Sequence, residues 1–151
     1  MREFQESDLA MLNEWCRTIR SGDYMSNTRP SHIDFSAVLK HKLLWRVISV
    51  SGKATGTIWL EEAENRQEAV LGILLGEPSL FGKGIGRAAI RLALAEARDF
   101  FSFRRITLHV RTGNERAIAC YKACGFTKSG EGEKAAAAGI KIPFITMEYL
   151  L

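Results

Sequence analysis

The chain lacks the features of a membrane-spanning, secreted or disulfide-bonded protein. None of its apolar stretches reaches transmembrane length, and its charged, amphipathic N-terminus has no apolar signal-peptide core. Its three cysteines, Cys16, Cys120 and Cys124, are odd in number, and the last two lack the further Cys or His spacing of a zinc site. We therefore expect free thiols, no bound metal, no membrane partner and a cytoplasmic location.

The sequence also lacks the charge pattern of a nucleic-acid-binding protein. Its net charge of +4 mildly favours anionic ligands, but no run of Lys and Arg alternates with aromatic residues. Hydrophobic residues (46%) and charged residues (25%) occur at the levels of ordinary globular proteins. We expect a single domain over residues 1–151, long enough to bury a core of its own, and no nucleic-acid partner.

The first half of the chain predicts helices followed by a β-hairpin. Ser7 is a candidate N-cap for a helix that ends near Gly22, with apolar residues recurring at helical spacing. A polar, proline-containing loop over 24–36 and a short helix over 37–42 follow. The stretches LLWRVISV and ATGTIWLEE, joined by Ser51-Gly52, are rich in β-branched and aromatic residues and predict two paired strands.

The second half alternates strands with helices. QEAVLGILLG (67–76) is nearly continuously apolar, which predicts a central strand buried on both faces. We predict a helix over 84–101, a strand over 104–110, a helix over 114–124 with Asn114 as N-cap and Gly125 after its end, and a final hairpin. The predicted fold is α/β (α+β): a mixed, mostly antiparallel twisted sheet flanked by helices, with a central right-handed parallel β-α-β crossover.

Three glycines separate the predicted central strand from the helix that follows it. Gly82, Gly84 and Gly86 alternate with other residues in LFGKGIGRAAI. A helix N-terminus presents unpaired N–H groups and partial positive charge, and missing Cβ atoms let phosphate oxygens approach them. We therefore favour a phosphate site over a plain tight turn.

Two common phosphate motifs fit this loop poorly. A Walker loop has four residues between its first glycine and Gly-Lys, followed by Ser or Thr; here five residues separate Gly76 from Gly82, and Gly84 follows Lys83. A dinucleotide-binding motif can be placed on Gly84, Gly86 and Ala89. It requires an acidic residue at the end of the next strand, where the sequence reads His-Val-Arg. A nicotinamide-dependent oxidoreductase stays open as a minor alternative.

Two blocks of the sequence resemble the GCN5-related N-acetyltransferases (GNAT), which bind acetyl-coenzyme A. The first is GILLGEPSLFGKGIGRAAI, in which Gly84 and Gly86 match the family's glycines and Phe81 replaces its usual Gln or Arg. The second is NERAIACYKACGF, in which Asn114, Tyr121 and the Gly-Phe pair fall at the family's spacing. The resemblance covers about residues 44–150.

The resemblance implies that acetyl-coenzyme A is the co-substrate and that particular residues bind it. A strand edge is expected to pair with the pantetheine arm, and the N–H groups of the glycine loop are expected to hold the pyrophosphate, with two cationic side chains as charge partners. The implied coenzyme-binding residues are Leu74, Leu75, Gly76, Gly82, Lys83, Gly84, Ile85, Gly86, Arg87, Asn114 and Tyr121.

The resemblance further implies an N-acetyltransferase that acts by direct attack of an amine in a ternary complex. The acceptor is a primary amine of a small molecule, an amino sugar or a protein N-terminus, and Tyr121 occupies the general-acid position. A non-catalytic acyl-coenzyme A sensor is the principal alternative, and a homodimer is left open.

The general base is not identified by the resemblance. The position at which some relatives carry glutamate falls on Val70. Glu68, two residues earlier on the same strand face, is our candidate base. A water chain, Glu61 or Glu62 would also serve. His109 is a further candidate, although we expect it to be packed within a central strand.

Overall fold

The computed structural model describes residues 1–19, 42–63, 67–135 and 140–151. In these ranges the chain forms one seven-stranded sheet in the order β1-β2-β3-β4-β5-β7-β6. The strands are β1 (Arg2–Glu3), β2 (Lys42–Val50), β3 (Lys53–Glu62), β4 (Glu68–Leu75), β5 (Arg105–Arg111), β6 (Thr127–Ala135) and β7 (Lys141–Leu150). The helices are α1 (Leu9–Thr18), α2 (Ile85–Phe100) and α3 (Glu115–Ala123).

The predicted sheet topology is confirmed. Strands β4 and β5 are parallel and are connected through α2, whereas the other neighbouring strands of the described sheet are antiparallel. The short strand β1 was not predicted, because two residues are too few to show a periodic pattern. The predicted loop over 24–36 and all but the last residue of the helix predicted over 37–42 lie outside the described residues. That last residue, Lys42, belongs to β2, so the prediction of helix is wrong there. Within the described ranges, no helix is long and apolar enough to cross a bilayer.

The start of α1 differs from the prediction. Ser7 is not the N-cap, because a 3-10 turn over Glu6–Asp8 precedes the helix. The Asp8 carboxylate accepts hydrogen bonds from the Gln5 N–H (2.9 Å) and from Arg2 (2.7 Å). The hydrogen bond from Arg2 is the main reason that the pKa of Asp8 is lowered. A charged acceptor of this kind binds the chain end more strongly than a serine hydroxyl could. The described helix ends at Thr18, and Gly22 lies outside the described residues.

The hairpin turn between β2 and β3 is the one that the sequence predicts. Ser51 (φ 50°) and Gly52 (φ 80°) both adopt left-handed backbone conformations. A two-residue turn of this kind matches the right-handed twist of the flanking strands. It pairs Val50 with Lys53, and beyond a register shift between Ile48 and Ser49 the antiparallel ladder places Trp45 opposite Trp59.

Each face of the sheet packs against different helices. The α2 face carries the larger core, to which α2 contributes one buried stripe: Ala89, Ile90, Ala93, Leu94 and Ala97. The α1 face carries a smaller cluster in which Leu12 and Trp15 of α1 contact Trp45, Trp59 and Leu74. Ala69 and Leu71 of β4 are buried in the larger core and Leu74 in the smaller cluster, so β4 is covered on both faces as predicted, although its other residues are only partly buried. Four of these partly buried residues, Val70, Gly72, Ile73 and Leu75, border a cavity.

Two glycines of the β4 region allow indole rings to lie directly on the backbone. A Cβ atom at Gly76 would lie 2.0 Å from the Trp15 ring, and one at Gly72 would lie 2.2 Å from the Trp59 ring. A real Cβ cannot approach a ring atom so closely. Gly76 is therefore required for the packing of α1 on the sheet.

We predict that Gly76→Ala destabilises the protein by about 1–3 kcal/mol, because the rigid Trp15 ring must move to admit the methyl group. Gly130→Ala is the matched control, since a Cβ there meets Thr146 at an ordinary 3.9 Å. Urea denaturation of both variants measures the two free energies of unfolding. Equal stability of the two variants would contradict this explanation.

Candidate active site

Strands β4 and β5 separate after a short stretch of pairing. The parallel ladder joins Glu68–Val70 to Arg105–Thr107 and extends no further in the described residues. Beyond it a cavity of about 980 Å³ opens between the two strands. We call this opening the β4–β5 gap. It is lined from the α2 face by the glycine loop, α2 and α3, and from the α1 face by the end of α1 and by β3, β5, β6 and β7.

The backbone of β4 presents hydrogen-bonding groups to the gap. The Ala63 N–H donates to Glu68 O (3.0 Å) and the Gly76 N–H donates to Thr55 O (2.8 Å), so even-numbered residues bond to β3. The Arg104 N–H donates to Gln67 O (3.0 Å), so odd-numbered residues point towards β5. Because these directions alternate along a strand, the N–H and C=O groups of residues 73 and 75 point into the gap.

This alternation changes the sequence-based assignment of the strand edge. Leu75 can offer its backbone to a ligand, as predicted. Leu74 and Gly76 direct theirs towards β3, and the Gly76 N–H is already bonded there. Ile73, which the sequence analysis missed, takes their place. The sequence alone could not show whether the odd-numbered or the even-numbered residues of β4 direct their backbone groups into the gap, because this depends on which strands pair with β4.

The glycine loop forms a cradle of unpaired amides at the start of α2. Gly82 (φ 77°) and Gly84 (φ 80°) have left-handed conformations, and a Cβ atom at either would meet nothing within 4 Å. The Ala88 N–H makes the first helical bond of α2, to Gly84 O at 3.0 Å. The N–H groups of Ile85, Gly86 and Arg87 therefore have no acceptor within the helix.

Nine of the predicted coenzyme-binding residues line the gap and two do not. Those that line it are Leu74, Leu75, Gly82, Gly84, Ile85, Gly86, Arg87, Asn114 and Tyr121. Lys83 and Gly76 lie outside the lining, and the Lys83 N–H donates to Leu80 O at 3.4 Å. Phe81 does line the gap, and the guanidinium of Arg116 lies over its ring at 3.8 Å from the centroid.

Helix α3 places a protonated phenol at the gap. Asn114 caps this helix as predicted, with its Oδ1 accepting from the Ala117 N–H at 3.3 Å. Tyr121 lies two turns later and packs against the edge of Phe126 at 6.1 Å between centroids. Burial raises the pKa of the Tyr121 phenol, so the hydroxyl keeps its proton at neutral pH. Among the described residues, this hydroxyl hydrogen-bonds to no side chain.

The cysteines are free thiols, as predicted. Cys120 lines the gap, and its Sγ would lie 3.7 Å from a Cβ at Gly86. Burial raises the pKa of both Cys120 and Cys124, which disfavours the nucleophilic thiolate. No group of three or more His, Cys, Asp or Glu side chains in the described part of the chain is arranged to hold a metal.

The predicted base Glu68 does not reach the gap. Its carboxylate is paired with Arg105, which also binds Glu148 at 3.0 Å. Glu68 lies at the closed end of the gap, where the two strands are still paired, and it is not among the lining residues. Glu61 does line the gap, from its position opposite Val70 on β3.

His109 faces the gap, and the expectation that it is packed within the sheet is wrong. In the described residues the β4–β5 ladder has already ended at Thr107, so His109 has no partner residue on β4. Its Nδ1 lies 3.1 Å from Thr146 Oγ1, and its ring meets Phe144 edge-on at 5.1 Å. Partial burial, and then the charge of Lys134, lower the pKa of His109. The imidazole is therefore neutral at pH 7.

The chain is similar to known acetyltransferases in sequence and in fold. Over 76 residues the chain is 25% identical to an N-acetyltransferase 9-like protein from Nematostella vectensis, a match to 50% of this chain. It spans only 14% and 38% of the lengths of the two curated proteins that it matches. Among solved structures, an aminoglycoside acetyltransferase with bound coenzyme A and kanamycin has a TM-score of 0.79 at 20% identity, covering 99% of this chain and 92% of the other.

A spermidine N-acetyltransferase from Vibrio cholerae, with bound coenzyme A and spermine, has a TM-score of 0.78 at 21% identity, covering 99% and 93% of the two chains. Structural similarity at such low identity shows the fold alone. The family itself is shown by the sequence, because the profile of the Acetyltransferase (GNAT) family matches residues 9–126. The gap between β4 and β5, the amide cradle and the capped α3 thus lie in a chain that belongs to the GNAT acetyltransferase family.

Proposed function

We propose that this protein transfers the acetyl group of acetyl-coenzyme A to a primary amine by direct attack in a ternary complex. The observation that carries the proposal is the β4–β5 gap, which has an unpaired strand edge, an amide cradle and a protonated tyrosine along one wall. An unpaired strand edge can bind the amide-containing arm of the coenzyme, and the amide cradle can bind its diphosphate. The tyrosine can donate a proton to the sulfur of its thioester. The raised thiol pKa values favour direct attack over transfer through an acetyl-cysteine.

The coenzyme would bind along the α2 face of the gap. Its pantetheine amides would hydrogen-bond to the backbone of Ile73 and Leu75, as an added strand would. Its diphosphate would lie against the N–H groups at the start of α2, where the helix dipole favours negative charge. The acceptor would enter from the α1 face, which carries Glu61 and His109.

We predict that Gly84→Ala weakens coenzyme A binding at least about tenfold, because a methyl group at the cradle keeps phosphate oxygens from the amides. Gly52→Ala is the matched control: Gly52 has the same φ of 80° and equally open surroundings, but lies in the hairpin turn. Both variants should lose a similar stability of about 1 kcal/mol. Calorimetric titration with coenzyme A should therefore separate them, and equal affinities would reject the cradle.

Release of free thiol from acetyl-coenzyme A in the presence of an amine tests the proposed function itself. Spermidine, kanamycin and a short peptide with a free N-terminus cover the three proposed acceptor classes. A protein that binds coenzyme A but releases no thiol with any of them would be the non-catalytic sensor. Displacement of a bound fluorescent probe by NADPH, and not by coenzyme A, would indicate the oxidoreductase alternative.

The transfer requires one proton to leave the amine and one to reach the sulfur. The amine nitrogen attacks the carbonyl, the new C–N bond forms, and the C–S bond breaks to release coenzyme A. In our proposal Tyr121 gives its proton to the leaving sulfur. Its raised pKa means that the phenol carries this proton at neutral pH, and the hydroxyl would be reprotonated from solvent after each cycle.

We predict that Tyr121→Phe lowers kcat about 10- to 100-fold and leaves the calorimetric affinity for coenzyme A within about twofold. The reduction is moderate because a thiol of pKa about 8.5 is a tolerable leaving group without help. Retention of full kcat would remove Tyr121 from the mechanism. A parallel fall in affinity would instead assign it to coenzyme binding.

For the base we propose His109 in place of Glu68. At pH 7 only on the order of one alkylamine in a thousand is neutral, so a proton acceptor beside the gap assists the attack. The imidazole of His109 is neutral, partly exposed and held through its Nδ1 by Thr146. Glu68 lies in an ion-pair network with Arg105 and Glu148 outside the gap.

We predict that kcat, measured as a function of pH, falls at low pH with an apparent pKa below the usual 6.5 of histidine. This acidic limb of the pH profile should disappear in His109→Gln. Protonation abolishes the base, so activity is lost as pH falls through the lowered pKa. Lys134→Gln removes a like charge and should move the limb to higher pH, still short of 6.5 because burial is the larger cause. An unchanged limb in His109→Gln would overturn the assignment.

A further inference from the structure

We propose that Arg116 of α3, held against the ring of Phe81, binds the diphosphate of the coenzyme at the mouth of the gap. This inference rests on the proposed use of coenzyme A and adds a residue to its binding site. It names a contact between two segments that sequence reasoning treated separately: the loop after β4 and the first turn of α3.

The contact between the two side chains is close and well placed. The guanidinium carbon lies 3.8 Å from the Phe81 centroid, well inside the roughly 6 Å limit of a cation–π interaction. Both side chains line the gap, and Phe81 directly precedes Gly82, where the amide cradle begins. The ring therefore holds the guanidinium next to the residue at which the glycine loop begins.

The chemistry of the stacked guanidinium favours an anion. Stacking covers one face of the planar group and leaves its N–H donors directed outward from its edge. Arg116 is exposed and, in the described ranges, has no carboxylate within ion-pair distance. A phosphate would supply the missing charge and accept two parallel hydrogen bonds.

This arrangement also accounts for the aromatic residue at position 81. A phenyl ring has no donor for a phosphate, so Phe81 cannot replace the Gln or Arg of the pattern that it interrupts. It can support a donor supplied by another element. In this chain the arginine comes from α3, two residues after Asn114.

The experiment measures affinity for coenzyme A by calorimetry in Arg116→Met, Phe81→Leu and the double variant. We expect Arg116→Met to weaken binding about 10- to 30-fold, as for a lost charge-assisted hydrogen bond, and Phe81→Leu about 3- to 5-fold. Phe81→Leu should have little further effect once Arg116 is replaced, because its role acts through the guanidinium. Lys122→Met is the matched control: it removes an exposed cation from the same helix, outside the gap.

Two further measurements identify the phosphate and exclude a structural explanation. With 3′-dephospho-coenzyme A the loss in Arg116→Met should persist, and with pantetheine it should vanish. Phe81→Arg combined with Arg116→Met should recover most of the lost affinity. Thermal melting of each apo variant should lie within a few degrees of the parent, since Arg116 is exposed.

Each result bears on a different proposal. A parent protein that fails to bind coenzyme A overturns the proposed function. A parent that binds, with Arg116→Met indistinguishable from Lys122→Met, overturns only the role of Arg116. A loss that vanishes with 3′-dephospho-coenzyme A overturns the assignment to the diphosphate. Absence of rescue by Phe81→Arg, together with a large fall in melting temperature, would show that the contact is structural.

Discussion

The divergence of β4 from β5 is the constraint on which the rest of the site depends. Parallel neighbours normally continue their ladder, because an unpaired strand edge inside a protein leaves backbone donors and acceptors without partners. Here the ladder ends at Val70 and Thr107, and the unpaired edge of β4 faces a cavity. Such an edge is a site for an extended ligand. On its other side β4 stays attached, because Trp59 of β3 lies on Gly72 and Trp15 of α1 lies on Gly76.

The two substrates that we propose approach the gap from opposite faces of the sheet. Side chains alternate between these faces, so β4 directs Ile73 and Leu75 towards α2 and Val70 towards α1. The cradle and Tyr121 belong to the first side, and Glu61 and His109 to the second. A thioester in the gap would thus meet a proton donor on one side and a proton acceptor on the other.

The fold and the position of the glycine loop could be predicted from the sequence, for physical reasons that differ between residues. The alanine stripe of α2, the Ser51-Gly52 turn and the Asn114 cap are local features whose patterns fix their own structure. Gly84 could be predicted for the same reason, because its positive φ and the helix after it are local. The roles of Ile73, His109 and Glu68 depend on which strand edges are paired. No local pattern carries that information, so His109 was expected to be packed and Glu68 to face the acceptor.

The distribution of charge around the gap follows from the cost of desolvation. Side chains that would work at the reaction centre are kept neutral: burial raises the pKa of Tyr121 and lowers that of His109, and both shifts favour the uncharged form. The cationic Arg116 is placed at the exposed rim, where its charge remains hydrated on one side. Between them, the negative charge of a diphosphate would be met by backbone amides, which carry partial charge without the desolvation cost of an ion. A coenzyme with its charge at one end and its reactive thioester at the other matches a gap that carries amides and a cation at one part and neutral Tyr121 and His109 at another.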